Sequence, residues 1–263
     1  MRHIYTALPR RTPGPRRHLK PFLIGRDVDR IEEIWQMSMV NRHWGNGPVL
    51  NNAISDVDKA LWDIKSKRTG MPMYQLLGGK CREAADTYIH SRGDTVETVV
   101  ENIQQLQEQG YAYFRCQLGS SSSASSSMRT PDSAPAGAYY DRNNLMSSNL
   151  RLFEHIRCEL GFDIELMHDV RERLHPTDAV GFAKDMEEFK LFFLEDVIAP
   201  EDNDWFRNIR QQCSILLAMN ELFDHPHEWR ARIENRLIDF MRMHVSQIGG
   251  ITPTRNVAAF GNM

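Results

Sequence analysis

Charge of one sign is what this 263-residue sequence most evidently lacks: 32 lysines and arginines face 35 aspartates and glutamates, for a net charge of −3. That balance gives no electrostatic case for nucleic acid or for an anionic membrane as partner. Cysteine is scarce as well. The four present (Cys81, Cys116, Cys158 and Cys213) lie far apart with no CxxC pair, which argues against a zinc site and against a disulfide framework. No apolar run approaches the ~18–20 residues that span a bilayer. The opening MRHIYTALPRRTPGPRRH has arginines but no apolar stretch behind them, so it does not read as a secretory signal. What is there, 41% hydrophobic and 25% charged residues, matches a soluble globular protein of one large domain or two modest ones. A cytoplasmic location is expected.

Residues 1–18, with five arginines, three prolines and no acid, show no periodicity and read as an irregular start. From Asp29, Ile31, Ile34, Trp35 and Met39 recur at helical spacing. A second helix is expected from Asn51 to Arg68, facing inward with Ile54, Val57, Leu61 and Ile64 and stopped by Gly70 and Pro72. Beyond Ala84 the pattern changes to short apolar strands alternating with amphipathic helices. Strand cores are expected at Thr87–His90, Tyr113–Leu118, Ile164–His168, Leu191–Leu194, Leu216–Met219 and Phe240–Val245. The helix after the first strand is opened by Asp94 with Glu97 three residues on, a capping-box arrangement. Its apolar face is Val96, Val99, Val100, Ile103 and Leu106. Two further faces are Met146, Leu150, Phe153, Ile156 and Leu160, then Ala179, Phe182, Ala183, Met186 and Phe189. Strand–helix units of about 25 residues imply parallel strands with crossover helices, and at this length a (β/α) barrel. A serine-rich stretch, SSSSASSSMRTPDSAPAGAYYD, interrupts the rhythm after the second strand and reads as a low-complexity insertion.

Three acids stand at the ends of three successive strands. Asp169 follows IELMH, Glu195 follows LFFL and Glu221 follows LLAMN, each 26 residues from the next. Equivalent points on neighbouring barrel strands face the mouth at the C-terminal rim. Three carboxylates converging there repel one another unless a cation sits among them. Oxygen-only ligands with no cysteine nearby favour Mg²⁺ over zinc or copper. His225 and His227 flank Pro226 at a helix start and read as surface residues, and the five tryptophans read as core or interface aromatics.

The motifs YQLLGGK, YIHSRGDT, MHDVRERL, FFLEDVIAPE, AMNELF and HVSQIGGITP resemble the enolase superfamily, and more narrowly its mannonate dehydratase subgroup, including the starvation-sensing-protein branch. The similarity runs from about Leu19 to Phe260. It implies an incomplete (β/α) barrel, about six of eight strands over residues 84–263. Before it, residues 19–83 would be the helical remnant of an N-terminal α+β cap domain, with both ends of the chain truncated. It also implies Mg²⁺-assisted removal of water from an aldonic acid such as mannonate or gluconate, giving a 2-keto-3-deoxy acid, and assembly as a homo-oligomer. By resemblance Asp169, Glu195 and Glu221 are metal ligands, with Glu221 also near substrate. His90 and Arg242 contact substrate, and Arg115 supports the base. By residue type alone, His90 reads as a hydrogen-bonded strand-end residue, and Arg115 and Arg242 as ion-paired side chains. The Lys-x-Lys of the racemase and lactonizing branches is replaced by Arg115-Cys116-Gln117.

The sequence departs from the subgroup at four places. Arg171 stands where the subgroup's acid histidine belongs, and a guanidinium does not readily donate a proton near neutral pH. The serine run occupies the place of a catalytic tyrosine, with Tyr139 and Tyr140 nearby but not in its position. Asn220 replaces the usual glycine before Glu221. The last two strands, with their histidine and glutamate, have no counterpart. These departures set weak hydro-lyase activity against an alternative, a catalytically silent homologue that binds a sugar acid or acts in regulation.

Overall fold

The computed structural model describes residues 14–41, 46–119, 132–133, 135, 140–219 and 221–262. The serine run, Trp44, Tyr139 and Asn220 lie outside the described residues. The chain divides into two compact units. The first comprises residues 1–83, 220–230 and 243–263, and the second residues 84–219 and 231–242.

The first unit begins with helices α1 (Gly14–Leu23), α2 (Ile31–Val40), α3 (Pro48–Thr69) and the single turn α4 (Met73–Leu76). Helix α1 starts inside the segment expected to be irregular; Pro15 sits in its first turn, where no backbone N–H is needed. Helix α3 starts three residues earlier than expected, with Pro48 in its first turn, and ends at Gly70 in the left-handed conformation. Ile31, Ile34, Leu61 and Trp62 form the buried centre of this unit, flanked by Leu23, Val57 and Ile251.

Beyond residue 84 strand and helix alternate in the expected order: β1 (Ile89–Gly93), α5 (Val96–Glu108), β2 (Tyr113–Leu118), α6 (Arg142–Leu160), β3 (Glu165–Asp169), α7 (Pro176–Asp185), β4 (Phe193–Glu195), α8 (Trp205–Gln212), β5 (Leu217–Met219), α9 (Pro226–Glu234) and β6 (Phe240–Met241); all lie in the second unit except residues 226–230 of α9. The six strands form one sheet in sequence order, every pair parallel. This is the incomplete barrel, six strands with a helical segment before them.

Several boundaries move. The sheet carries β1 through Gly93, past the expected end at His90, because Gly93 itself pairs with Leu118. Helix α5 is capped by Thr95, whose hydroxyl accepts from the Thr98 N–H at 3.2 Å, and not by Asp94. Gly93 is required just before it, since a Cβ there would lie 2.8 Å from the Thr98 Cβ and 2.9 Å from the Val99 nitrogen. Helix α6 turns Leu145, Leu152, Phe153 and Ile156 inward, a face rotated from the one expected. Strand β6 stops at Met241, four residues short: Arg242 still donates its N–H to the Met219 carbonyl at 2.8 Å, then the chain turns between His244 and Gln247.

The chain closes with α10 (Ile251–Gly261), in the first unit. Buried Asp58 of α3 caps it, accepting from the Thr252 N–H at 3.0 Å and the Thr252 hydroxyl at 2.5 Å, while the Trp62 indole donates to that hydroxyl at 3.0 Å. The carboxylate packs so closely on Gly250, at φ +124°, that any Cβ there would collide with it.

Candidate functional site

Strand alternation sorts the second unit's side chains into layers on one face of the sheet. Lowest lie Tyr88, Tyr113, Met167, Phe193, Ala218 and Phe240, an apolar floor. One step toward the strands' C-terminal ends, His90 pairs in register with Arg115, and Asp169 with Glu195. Arg242 joins them just past β6. A further step along β1 and β2 places Arg92 opposite Gln117.

The middle layer is densely charged, with its carboxylates and Arg115 buried and His90 open to solvent. Glu195 is fully buried, Asp169 and Arg115 nearly so. One Arg115 nitrogen, Nη2, bridges Asp169 Oδ2 and Glu195 Oε2, the latter at 3.1 Å. Arg242 Nη1 pairs with Glu195 Oε1. Arg171 holds Asp169 twice, through its backbone N–H to Oδ1 at 2.9 Å and through Nε to Oδ2 at 3.1 Å. The imidazole of His90 lies between two guanidiniums, with Nε2 3.3 Å from Arg115 Nη1 and Nδ1 3.0 Å from Arg92 Nη2. Loss of solvent around the ring, followed by the charges of Arg115, Arg92, Arg242 and Arg171, pulls its pKa down to about 4. His90 is therefore neutral near pH 7.

Carboxylate oxygens of Asp169, Glu195 and Asp196 lie within 4.8 Å of one another. Asp196 is the member that sequence reading missed. Strict alternation sends neighbours Glu195 and Asp196 to opposite faces, but Asp196 lies just past β4 with φ +49°, and this left-handed turn brings both to one side. The Glu172 N–H, itself from a left-handed residue, donates to the Asp196 carbonyl at 2.7 Å and ties the two strand-end turns together.

This donor set suits a hard divalent cation. All three ligands are carboxylates, and neither oxygen of buried Glu195 receives a well-formed hydrogen bond, each being matched only by guanidinium charge. Of the residues expected from sequence, the structure brings together His90, Arg115, Asp169, Arg171, Glu195 and Arg242. Glu221 is half-buried at the start of segment 220–230, in the first unit. Tyr140 is 48% exposed. His227 is exposed and His225 half-buried, their two Nδ1 atoms in contact.

An ordered line of parallel strands with acids at their C-terminal ends is the mark of an incomplete (β/α) barrel, and comparison with known proteins shows the family to which the chain belongs. The description "Enolase C-terminal domain-like" matches residues 98–262, and "Mandelate racemase / muconate lactonizing enzyme, N-terminal domain" matches residues 12–78. The chain belongs to the enolase superfamily. It is 48% identical over 246 residues to a D-galactonate dehydratase family member of Enterococcus gallinarum (strain EG2), covering 94% of this chain and 61% of that protein. It is 41% identical over 257 residues to a D-mannonate dehydratase of Caulobacter sp. (strain K31), covering 94% and 64%. A crystal structure of an enolase from Pantoea ananatis with bound D-gluconate and Mg superposes with a TM-score of 0.87 at 43% identity, covering 94% of this chain and 64% of that one. The chain thus spans about three fifths of the length of these relatives. No helix among the described residues is long and apolar enough to cross a membrane.

Proposed function

We propose that this site binds Mg²⁺ and the carboxylate end of an aldonic acid, and that its chemistry is the β-elimination of water to a 2-keto-3-deoxy acid, at a low rate. The observation that carries the reading is the convergence of Asp169, Glu195 and Asp196 on an apolar floor beneath a ring of arginines. The bound gluconate and Mg of the similar Pantoea ananatis structure support it. Asp169 and Glu195 would hold the metal, with Asp196 beside them; Glu221 is kept as a ligand on its sequence register alone. Bound there, the metal would offset the negative charge that builds on the substrate carboxylate when the neighbouring proton is removed.

The protein's own groups have separable tasks. Arg115 sets the spacing of Asp169 and Glu195 by bridging them. Arg242, less enclosed than Arg115, holds Glu195 and is positioned to turn toward a substrate carboxylate. Neutral His90 offers one N–H and one lone pair, suited to orienting a substrate hydroxyl. Arg171 occupies the place of a proton donor and holds no proton it readily gives up, so the leaving hydroxyl gets little acid assistance from it. That guanidinium, clamped on Asp169, equally favours a second reading in which the site binds a sugar acid without turning it over. Cytoplasmic residence, expected from the composition, and homo-oligomeric assembly, implied by the family resemblance, belong to the first reading.

The test is a screen of aldonic acids with Mg²⁺, detecting 2-keto-3-deoxy products. Slow, Mg²⁺-dependent product formation that rises with Arg171→His supports the enzyme. Binding without product in both proteins favours the silent homologue. Absence of both Mg²⁺ and sugar-acid binding overturns the site assignment.

A further inference from the structure

A guanidinium only donates hydrogen bonds, and a neutral imidazole has a single acceptor nitrogen. His90 nevertheless faces two guanidiniums, one at each ring nitrogen: Arg92 Nη2 lies 3.0 Å from Nδ1, and Arg115 Nη1 lies 3.3 Å from Nε2. One of these contacts is a hydrogen bond, and the other sets N–H against N–H. Which is which decides what His90 can offer a ligand.

The bond belongs to Arg92 on three counts. Its 3.0 Å falls inside the ordinary range for a nitrogen donor, whereas 3.3 Å falls outside it. Arg115 is anchored through Nη2 on Asp169 and Glu195, so the place of its Nη1 follows from that bridge. Arg92 meets no carboxylate among the described residues, and its Nε is buried without a hydrogen bond, so its contact with His90 is the one its guanidinium depends on. The ring itself is held by stacking on Tyr88, with centroids 5.8 Å apart and planes inclined by 12°. Nδ1 therefore accepts, and the proton stands on Nε2, pointing toward Arg115 as a donor left over. Because His90 is open to solvent, a ligand oxygen entering this gap accepts from His90 Nε2–H and Arg115 Nη1–H at once. In the opposite tautomer Nε2 would be bonded to Arg115 and would offer a ligand nothing.

We propose that Arg92 is a positioning residue, holding His90 in its Nε2–H form so that His90 and Arg115 present paired donors to one oxygen of the bound sugar acid. The tautomer follows from the contacts alone; the ligand rests on the sugar-acid reading above.

Nitrogen-15 NMR of the full chain labelled at histidine reads the tautomer, with His90→Gln identifying the His90 signals. Near neutral pH the ring is uncharged, its pKa lying at about 4 through loss of solvent and the surrounding guanidiniums, so each nitrogen is either protonated or bare. Wild type is expected to show a protonated Nε2 and a bare Nδ1. Arg92→Met removes the donor at Nδ1 and lets Arg115 bond Nε2, so the proton should move to Nδ1. Arg92→Lys keeps a donor and should hold the proton on Nε2. A bare Nε2 in wild type, or one tautomer shared by wild type and Arg92→Met, overturns the proposal; Arg92→Gln, too short to reach Nδ1, serves if the methionine variant does not fold. Calorimetric titration with gluconate in the presence of Mg²⁺ tests the second half. Arg92→Met should bind gluconate about tenfold more weakly than wild type, the scale of one hydrogen bond, and Arg92→Lys should recover the loss, with Mg²⁺ affinity held in all three. Equal gluconate affinity despite a moved proton overturns the paired donors. Gluconate that binds none of the three proteins overturns the sugar-acid reading and leaves the tautomer assignment to stand on its spectra.

Discussion

Replacing Arg115 by methionine tests whether the arginines stand in for a metal. Methionine keeps the length of the side-chain stem and removes the guanidinium, its charge together with its N–H donors. The bridge that Arg115 makes between Asp169 and Glu195 then disappears, and three carboxylates, exposed by 7%, 0% and 3% for Asp169, Glu195 and Asp196, confront one another with Arg171 and Arg242 as the remaining counter-charges. Removing one partner of a buried ion pair costs about 3–5 kcal/mol. At roughly 2–4 °C per kcal/mol for a domain of this size, the melting midpoint should fall by about 6–20 °C without metal. A divalent cation on the same oxygens supplies the missing charge. At 100 times the variant's Kd it should return about 2.7 kcal/mol to Arg115→Met, and less to wild type at that same Mg²⁺ concentration, because there Arg115 competes for the site. The assay is paired thermal melts with and without Mg²⁺ at fixed ionic strength. Equal Mg²⁺ increments in the two proteins, or a variant that melts with wild type in the absence of metal, would refute the account.

Three further outcomes follow from the packing. Burial, reinforced by the neighbouring Glu228 carboxylate, raises Asp224 from the usual 3.8 to about 6. An acid whose folded pKa is raised favours the fold below pH 3.8 and loses that contribution as pH climbs through about 6. Wild type should therefore lose stability relative to Asp224→Asn between pH 4 and 7, and parallel urea midpoints across that range would contradict the assignment. Thr95→Ala removes the cap of α5 and should cost about 0.5–2 kcal/mol by denaturant titration, whereas Asp94→Ala should cost less. Phe153 is fully buried, with its ring against His168 and Phe189; Phe153→Ala should cost about 3–5 kcal/mol, and a loss under 1 kcal/mol would mean that α6 does not pack on the sheet as described.

How much could be read from the sequence depends on what each residue answers to. The six strands were legible because apolar runs between amphipathic helices recur at even intervals, and the acids at the ends of β3 and β4 share the same strand-end position. The site arginines were legible only through family resemblance, since an arginine on a strand looks the same paired or functional. Asp196 was hidden for a definite reason: alternation assigns it to the helix side, and only its left-handed φ overrules that. Arg92 was missed because its meaning lies in a contact with His90 two residues away and in a donor left over, neither of which spacing reveals. The Asp94 cap failed by one residue because Asp94 and Thr95 are both good capping types, and the chain, held by Gly93 against α5, presents the second of them. The start of α1 was missed because residues 1–18 show no apolar periodicity, although Pro15 stands where a helix's first turn accepts it.

The left-handed residues at the site bear on how this chain would respond to selection for stability alone. Arg171, Glu172 and Asp196, at φ +61°, +52° and +49°, each carry a side chain where glycine would sit without strain, at a cost of roughly 1–2 kcal/mol per residue. A library screened only for heat resistance should therefore enrich glycine at these three positions, and at Arg171 and Asp196 each such gain would remove a charge from the site itself. Lys190 and Arg236, left-handed in turns after Phe189 and α9, provide the contrast within the same protein, because glycine there should be gained without loss of ligand binding. The two groups of positions would separate, in a single experiment, backbone tension that serves the site from tension that merely turns the chain.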